Sequence, residues 1–124
     1  MIASANRSTL ENAWGHLAEG NFDELAALYA EEMIFVLPGQ ENVLKGRMAF
    51  RSALDQIGAA LPQGFEIDAI EYFEGNDSIF NLVSWHSEKL PAGSQSAIHW
   101  RFDVNGGITE ERWFVDTEQW KAAL

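Results

Sequence analysis

Apolar positions near the start of the chain recur at helical spacing. Leu10, Ala13, Trp14 and Leu17 fall three or four residues apart, which predicts a helix with one buried face. Ser8-Thr9-Leu10-Glu11 reads as a capping box, with Ser8 as N-cap, and Gly20 supplies the stop. Asn21-Phe22-Asp23-Glu24 repeats the capping logic for a second helix, whose inner face is Phe22, Leu25, Ala26, Leu28 and Tyr29. Residues 33–37 form a short apolar strand ended by Pro38-Gly39. A third helix follows Gly46, with Phe50, Ala53, Leu54 and Ile57 as its buried stripe and Pro62-Gln63-Gly64 closing it.

From Phe65 onward the pattern shortens to strand alternation. Gly75-Asn76-Asp77, Pro91-Ala92-Gly93-Ser94 and Asn105-Gly106-Gly107 divide four strands. Asn-Gly is the strongest of these turn signals, because both residues tolerate the positive φ of a type I′ turn. Asp116 is placed to cap a short C-terminal helix, with Gln119 three residues on. The order is helix, helix, strand, helix, then a four-strand meander. That order predicts an α+β fold in which a curved antiparallel sheet carries its helices on one face.

Turn geometry then sets the pairing. With Pro91 to Ser94 as a loop, Trp85 lies opposite Trp100 and His86 opposite His99. With a turn at Asn105-Gly106, Trp100 faces Glu111, Ile98 faces Trp113 and His99 faces Arg112. Alternation puts Asn81, Val83, Trp85, Ile98, Trp100, Glu111 and Trp113 on the core face. His86, His99, Arg101, Glu110, Arg112 and Phe114 fall on the other. Glu111 and Asn81 are polar groups among aromatics, and a buried carboxylate needs a partner or must hold a proton.

Length and charge narrow the partners. The 124 residues fit one domain, spanning 1–124, and suffice to bury roughly two thirds of the unfolded surface. The absence of cysteine excludes disulfides and thiolate metal sites. The start lacks a secretory pattern, and no window approaches the ~18 apolar residues of a membrane span, so a cytoplasmic protein is expected. Eight basic against 19 acidic residues give a formal charge of −11. Nucleic acid and anionic membranes are poor partners for such a surface, and a neutral or cationic ligand suits it better.

Several short stretches together resemble the SnoaL-like branch of the nuclear transport factor two-like superfamily. They are Ala18-Glu19-Gly20-Asn21-Phe22-Asp23-Glu24-Leu25, Tyr29-Ala30-Glu31-Glu32, Pro38-Gly39 with Leu44-Lys45-Gly46, His99-Trp100-Arg101-Phe102, and Asn105-Gly106-Gly107-Ile108-Thr109-Glu110, ending at Asp116. The resemblance implies an α+β cone, three N-terminal helices on the concave face, a small-molecule pocket between the layers, and a homodimer. Members include polyketide cyclases, ketosteroid isomerases, epoxide hydrolases, dehydratases and proteins without assigned activity. The isomerase's oxyanion-hole tyrosine, general-base aspartate and protonated aspartate fall on Ala13, Leu37 and Ile98. The acid that epoxide hydrolases and cyclases place in the last strand falls on Trp113. An ordinary isomerase or epoxide hydrolase is therefore disfavoured.

Glu111 is the first candidate for chemistry, because an apolar pocket would raise its pKa into general acid/base range. The bland reading is a carboxylate at the pocket rim, or one tied to an indole N–H. Tyr29, expected on the second helix, would donate its hydroxyl to a substrate carbonyl or else be a satisfied core tyrosine. Trp14, Leu37, Asn81, Val83, Trp85, Ile98, Trp100 and Trp113 are the expected ligand contacts. Four indoles around one cavity suit a flat hydrophobic ligand, or, with Glu111, an ammonium group. His86, His99 and Arg112 are expected at a homodimer interface, Asp68 is a further possible pocket acid, and neither a metal nor a cofactor is implied. The function expected is a cofactor-independent cyclase, isomerase or dehydratase acting on a hydrophobic small molecule. The alternatives are a non-catalytic binding protein for a hydrophobic or cationic ligand, and an association module.

Overall fold

The computed structural model describes residues 4–37, 43–59 and 61–124, with the backbone alone at 57–59. The strand stop at Pro38-Gly39 and the side chain of Ile57 lie outside the described residues.

Helix α1 (Ala5–Glu19) starts a turn earlier than its capping box suggests. Ser4 is the N-cap, and its side chain accepts from the Arg7 N–H. The Ser8 N–H already donates to the Ser4 carbonyl at 3.0 Å, so Ser8 has no orphan end to cap. Gly20 ends the helix in the left-handed region, at φ 74°. Helix α2 (Phe22–Ala26) follows after Asn21 and is shorter than expected.

Tyr29 is not on that helix. It opens strand β1 (Tyr29–Val36), beside Ile108, whose N–H donates to the Leu28 carbonyl at 3.1 Å. Pairing with a distant strand here overrides the local helical pattern. A two-residue strand that the sequence did not announce, β2 (Leu44–Lys45), pairs antiparallel with Ile34 and Phe35. Helix α3 (Arg47–Ala59) begins after Gly46 and buries Phe50 and Leu54.

Strands β3 (Glu66–Glu74), β4 (Ser78–His86), β5 (Ser94–Phe102) and β6 (Ile108–Val115) form the expected antiparallel meander. Asp116 caps the closing helix α4 (Thr117–Ala123), accepting from the N–H groups of Glu118 and Gln119. The curved sheet has six strands in the order β2-β1-β6-β5-β4-β3. It is mixed rather than purely antiparallel, because β1 runs parallel to β6.

The β5–β6 register is the expected one, with Trp100 opposite Glu111, Ile98 opposite Trp113 and His99 opposite Arg112. The β4–β5 register is not. Trp85 pairs with Ser94, Trp100 pairs with Ile79, and His86 has left the ladder opposite His99. The loop is wider than Pro91–Ser94 because Ser87 to Leu90 and Leu90 to Gly93 close successive tight turns. Gly93 sits at φ 82°, where an added Cβ would lie 2.7 Å from the Trp85 carbonyl oxygen. The displacement is an even number of residues, so every side chain keeps its face.

The inner face carries the core. Ile79, Val83, Ile98, Trp100 and Phe102 are buried there, under Leu10 and Ala13 of α1 and Phe50 and Leu54 of α3. Phe50 packs on Tyr29 and Phe35, with ring centroids 4.5 and 5.4 Å apart. Trp14 of α1 reaches the sheet by donating its indole N–H to Asn81. No helix among the described residues is long and apolar enough to cross a membrane.

Candidate functional site

Among the described residues Glu111 is the one carboxylate buried in the core, with 6% of its surface exposed. Strand alternation points it inward from β6, and pairing with β1 brings Tyr29 onto it from a position 82 residues away. The Tyr29 hydroxyl donates to Oε1, and the Trp113 indole N–H donates to Oε2 at 2.6 Å. Burial outweighs both bonds and pushes the Glu111 pKa up to about 7. Burial, and then the adjacent carboxylate, hold Tyr29 well above its ordinary value, so its hydroxyl stays protonated.

The two partners differ in what they can do. An indole only donates, so Oε2 must remain an acceptor in either protonation state. A hydroxyl both donates and accepts. The Glu111 proton therefore belongs on Oε1, where it is donated to the Tyr29 oxygen, while Oε2 goes on accepting from Trp113.

Asn81, fully buried on β4, makes the second polar knot. Its Oδ1 accepts from Trp14 at 3.1 Å and Trp100 at 2.9 Å, and its Nδ2 donates to the Glu71 carbonyl at 3.1 Å. The two indoles meet edge-on at 6.2 Å, and Trp100 lies 6.5 Å from the Tyr29 ring. Val83 and Ile98 are completely buried beneath this cluster, while Trp14, Leu37 and Trp113 are half-buried against the core. Trp85 does not join them. It packs with Phe65 and Trp120 at the α4 end of the sheet and donates to Ser96 at 3.0 Å.

Two further half-buried inner-face residues, Ile70 and Tyr72, escaped the sequence reading. Tyr72 stands opposite Asn81, and the register of the β3–β4 hairpin, with its irregularity between Ile67 and Ala69, is what reveals it. The Arg7 guanidinium covers its ring at 4.5 Å.

The opposite face holds the remaining candidates. His86 meets Asp68 at 2.9 Å, and this hydrogen bond raises its pKa. Asp68 thus serves the outer face rather than the core. His99 stacks on Phe80 at 4.3 Å, and burial lowers its pKa. Arg112 and Arg101 both approach Glu110, at 3.1 and 3.9 Å. A groove of about 470 Å³ lies at the turn end of the β4–β5 hairpin, lined by Asp68, Ser84, Gly93, Gln95 and Gln119 among others. It opens outward and does not contain Glu111.

A family model for the SnoaL-like domain matches residues 10–111. The chain belongs to the SnoaL-like domain family. It is accordingly a member of the nuclear transport factor two-like superfamily, and its curved sheet with helices is that superfamily's cone. No curated protein sequence matches it. Among solved structures, TerC co-crystallized with polyporic acid is similar at a TM-score of 0.80 and 15% identity, covering 97% of this chain and 98% of that one. A polyketide cyclase candidate from Xanthomonas campestris pv. campestris gives 0.78 at 17%, covering 95% of each chain. A steroid delta-isomerase from Pseudomonas aeruginosa gives 0.75 at 18%, covering 99% and 89%. At these identities the likeness is one of fold, and the chemistry of this SnoaL-like chain has to be argued from its own residues.

Proposed function

We propose that this SnoaL-like protein is a cofactor-independent acid–base enzyme of the cyclase, isomerase or dehydratase type. Its substrate is a neutral, hydrophobic molecule bearing a carbonyl group. The observation that supports this most is the Glu111 carboxyl, buried between a hydroxyl and an indole and pushed up to about 7. A group with that pKa is present in both protonation states at neutral pH, which suits a proton carrier.

Glu111 as carboxylate removes a proton from the carbon next to the substrate carbonyl. The C–H electrons form the enolate, and the Tyr29 hydroxyl turns from Oε1 to donate to the developing oxyanion. Glu111 then returns the proton at another atom, or after a new carbon–carbon bond has formed. Trp113, Trp14, Leu37 and Tyr72 supply the apolar contacts, with Val83 and Ile98 as the sealed floor. Asn81 orients Trp14 and Trp100 rather than meeting the ligand, since its oxygen and amide are both engaged.

Turnover of ketone substrates measured with Glu111→Gln tests the reading. Loss of turnover with binding retained supports it, and unchanged turnover contradicts it. A second reading, binding of a hydrophobic or cationic ligand without turnover, is favoured by one fact: both Glu111 oxygens already have internal donors. Retained binding with no turnover by the unaltered chain would select it.

The protein acts, on this reading, in the cytoplasm as a homodimer joined through the outer sheet face. Phe73, Phe80 and Phe114 are 56%, 43% and 50% exposed there, beside His99 and Arg112. His86, held by Asp68, lies at the margin of that face.

A further inference from the structure

We propose that the groove at the turn end of the β4–β5 hairpin is a second binding site, for a small organic cation bearing a primary ammonium and hydroxyl groups. Glu111 has no part in it, so it stands or falls independently of the acid–base reading.

The groove has a volume of about 470 Å³, within the roughly 300–1,000 Å³ of small-molecule sites. Asp68 comes to it from β3, Ser84 from β4, Ser94 and Gln95 from β5, and Gln119 from α4. Two backbone features shape the wall. Ile67 pairs with Trp85 and Ala69 with Ser84, so Asp68 is the extra residue of a β-bulge, a device that re-aims a side chain. Gly93, at φ 82°, has no room for a Cβ beside the Trp85 carbonyl, so the loop backbone runs directly against β4 there. Gln119 is held twice: its backbone N–H donates to Asp116 at 3.1 Å, and its Oε1 accepts from the Ser94 hydroxyl.

Charge decides the ligand. Among the described residues Asp68 is the one charged group on the wall, and its side chain is 52% exposed. Both its oxygens lie 2.9 Å from a single nitrogen, His86 Nδ1, whereas a carboxylate has about four acceptor sites. Room for a second donor remains. Glu66 meets the other ring nitrogen of His86 at 3.6 Å, so two carboxylates keep the cluster negative even when the imidazole is protonated. In a chain of formal charge −11, such a place repels an anion and draws a cation. The polar neighbours supply the rest. Gln95 donates its Nε2 to Ser84 at 3.3 Å, and its Oε1 takes no donor from the described residues. Ser84 keeps its O–H, and Gln119 its side-chain N–H groups, free to donate. A carboxylate and an amide oxygen suit an ammonium, and the remaining donors suit hydroxyl oxygens.

Proton–nitrogen NMR titration of the whole chain with glucamine, sorbitol and gluconate tests this. The three share one polyol chain and differ at its end, which is an ammonium, a hydroxyl or a carboxylate. Glucamine is expected to move the signals of Gly93, Ser94 and Gln95 and the side-chain amides of Gln95 and Gln119. Its Kd should be about fivefold or more below that of sorbitol, and gluconate should move none of these signals. Asp68→Asn should raise the glucamine Kd to that of sorbitol. His86→Gln removes the neighbouring imidazole and leaves Asp68, so glucamine should bind as tightly or tighter. Equal binding of glucamine and sorbitol, tighter binding of gluconate, or no movement with any of the three overturns the site. So does a glucamine preference that survives Asp68→Asn or that His86→Gln abolishes. Movement of the Trp113 indole signal in place of the groove signals would also overturn it. Ketone turnover enters none of these outcomes, so the two readings fail separately.

Discussion

The proton on Glu111 ties the chemistry to stability. The unfolded chain releases it near the ordinary value of 4.5, and the folded chain near 7. The folded state therefore holds the proton more tightly. Its contribution is whole below 4.5, shrinks as pH rises, and is gone above about 7. The loss is on the order of 3 kcal/mol, at about 1.4 kcal/mol per pH unit. Glu111→Gln should remove this slope. A glutamine keeps both bonds by accepting from Trp113 through its oxygen and donating to the Tyr29 oxygen through its amide. Urea unfolding at pH 5 and pH 8 checks the prediction: the unaltered chain loses stability between the two, and the variant loses much less. Tyr29→Phe deletes a donor that favours the charged carboxylate, so the Glu111 midpoint should climb further above 7. Trp113→Phe should move it the same way by a smaller amount, because its bond is the weaker of the two influences.

Among the elements, the β4 strand shows what a sequence does and does not disclose. Side-chain alternation reports which face a residue occupies, and it placed Asn81, Trp85 and Glu111 inward. Position along the strand depends on how many residues a turn consumes, which the Pro91–Ser94 composition understated. Trp85 consequently lies under Phe65 and Trp120, several residues from the row that holds Trp100 and Glu111. The β5–β6 register was legible although the turn was not: Gly106 and not Asn105 takes the positive φ, at 83°, the loop closes between Asp103 and Gly107, and an irregularity between Arg101 and Phe102 restores the expected pairing. Tyr29 was legible as an inward-facing residue but neither as part of a strand nor as the partner of Glu111, since only pairing with a distant strand makes that segment extended. Asn81 joins three elements through three hydrogen bonds, so Asn81→Ala should cost on the order of 3 kcal/mol by leaving the Trp14 and Trp100 indole N–H groups without their acceptor. Thermal or urea unfolding measures it, and a loss below about 0.5 kcal/mol would show that the knot holds little.

For the whole molecule, the order of helices and strands set the α+β class, and the similar solved structures share it. Assembly is less legible. An outer face with three half-exposed phenylalanines, two arginines and a stacked imidazole is self-complementary in character, and the proposed homodimer uses it. His99→Glu would set a carboxylate against Glu110, which lies 4.0 Å from the imidazole. Sedimentation should give a dimer mass for the unaltered chain and a monomer mass for the variant. An unaltered dimer would move the interface elsewhere.

The account turns on the protonation of one buried carboxyl. Carbon-13 NMR of the protein labelled at glutamate side-chain carboxyls, titrated from pH 3 to 9 and assigned by Glu111→Gln, reads it directly. The structure predicts a Glu111 resonance with a midpoint near 7 that is lost in the variant. A Glu111 midpoint near 4.5 would contradict both its buried environment and its role as proton carrier.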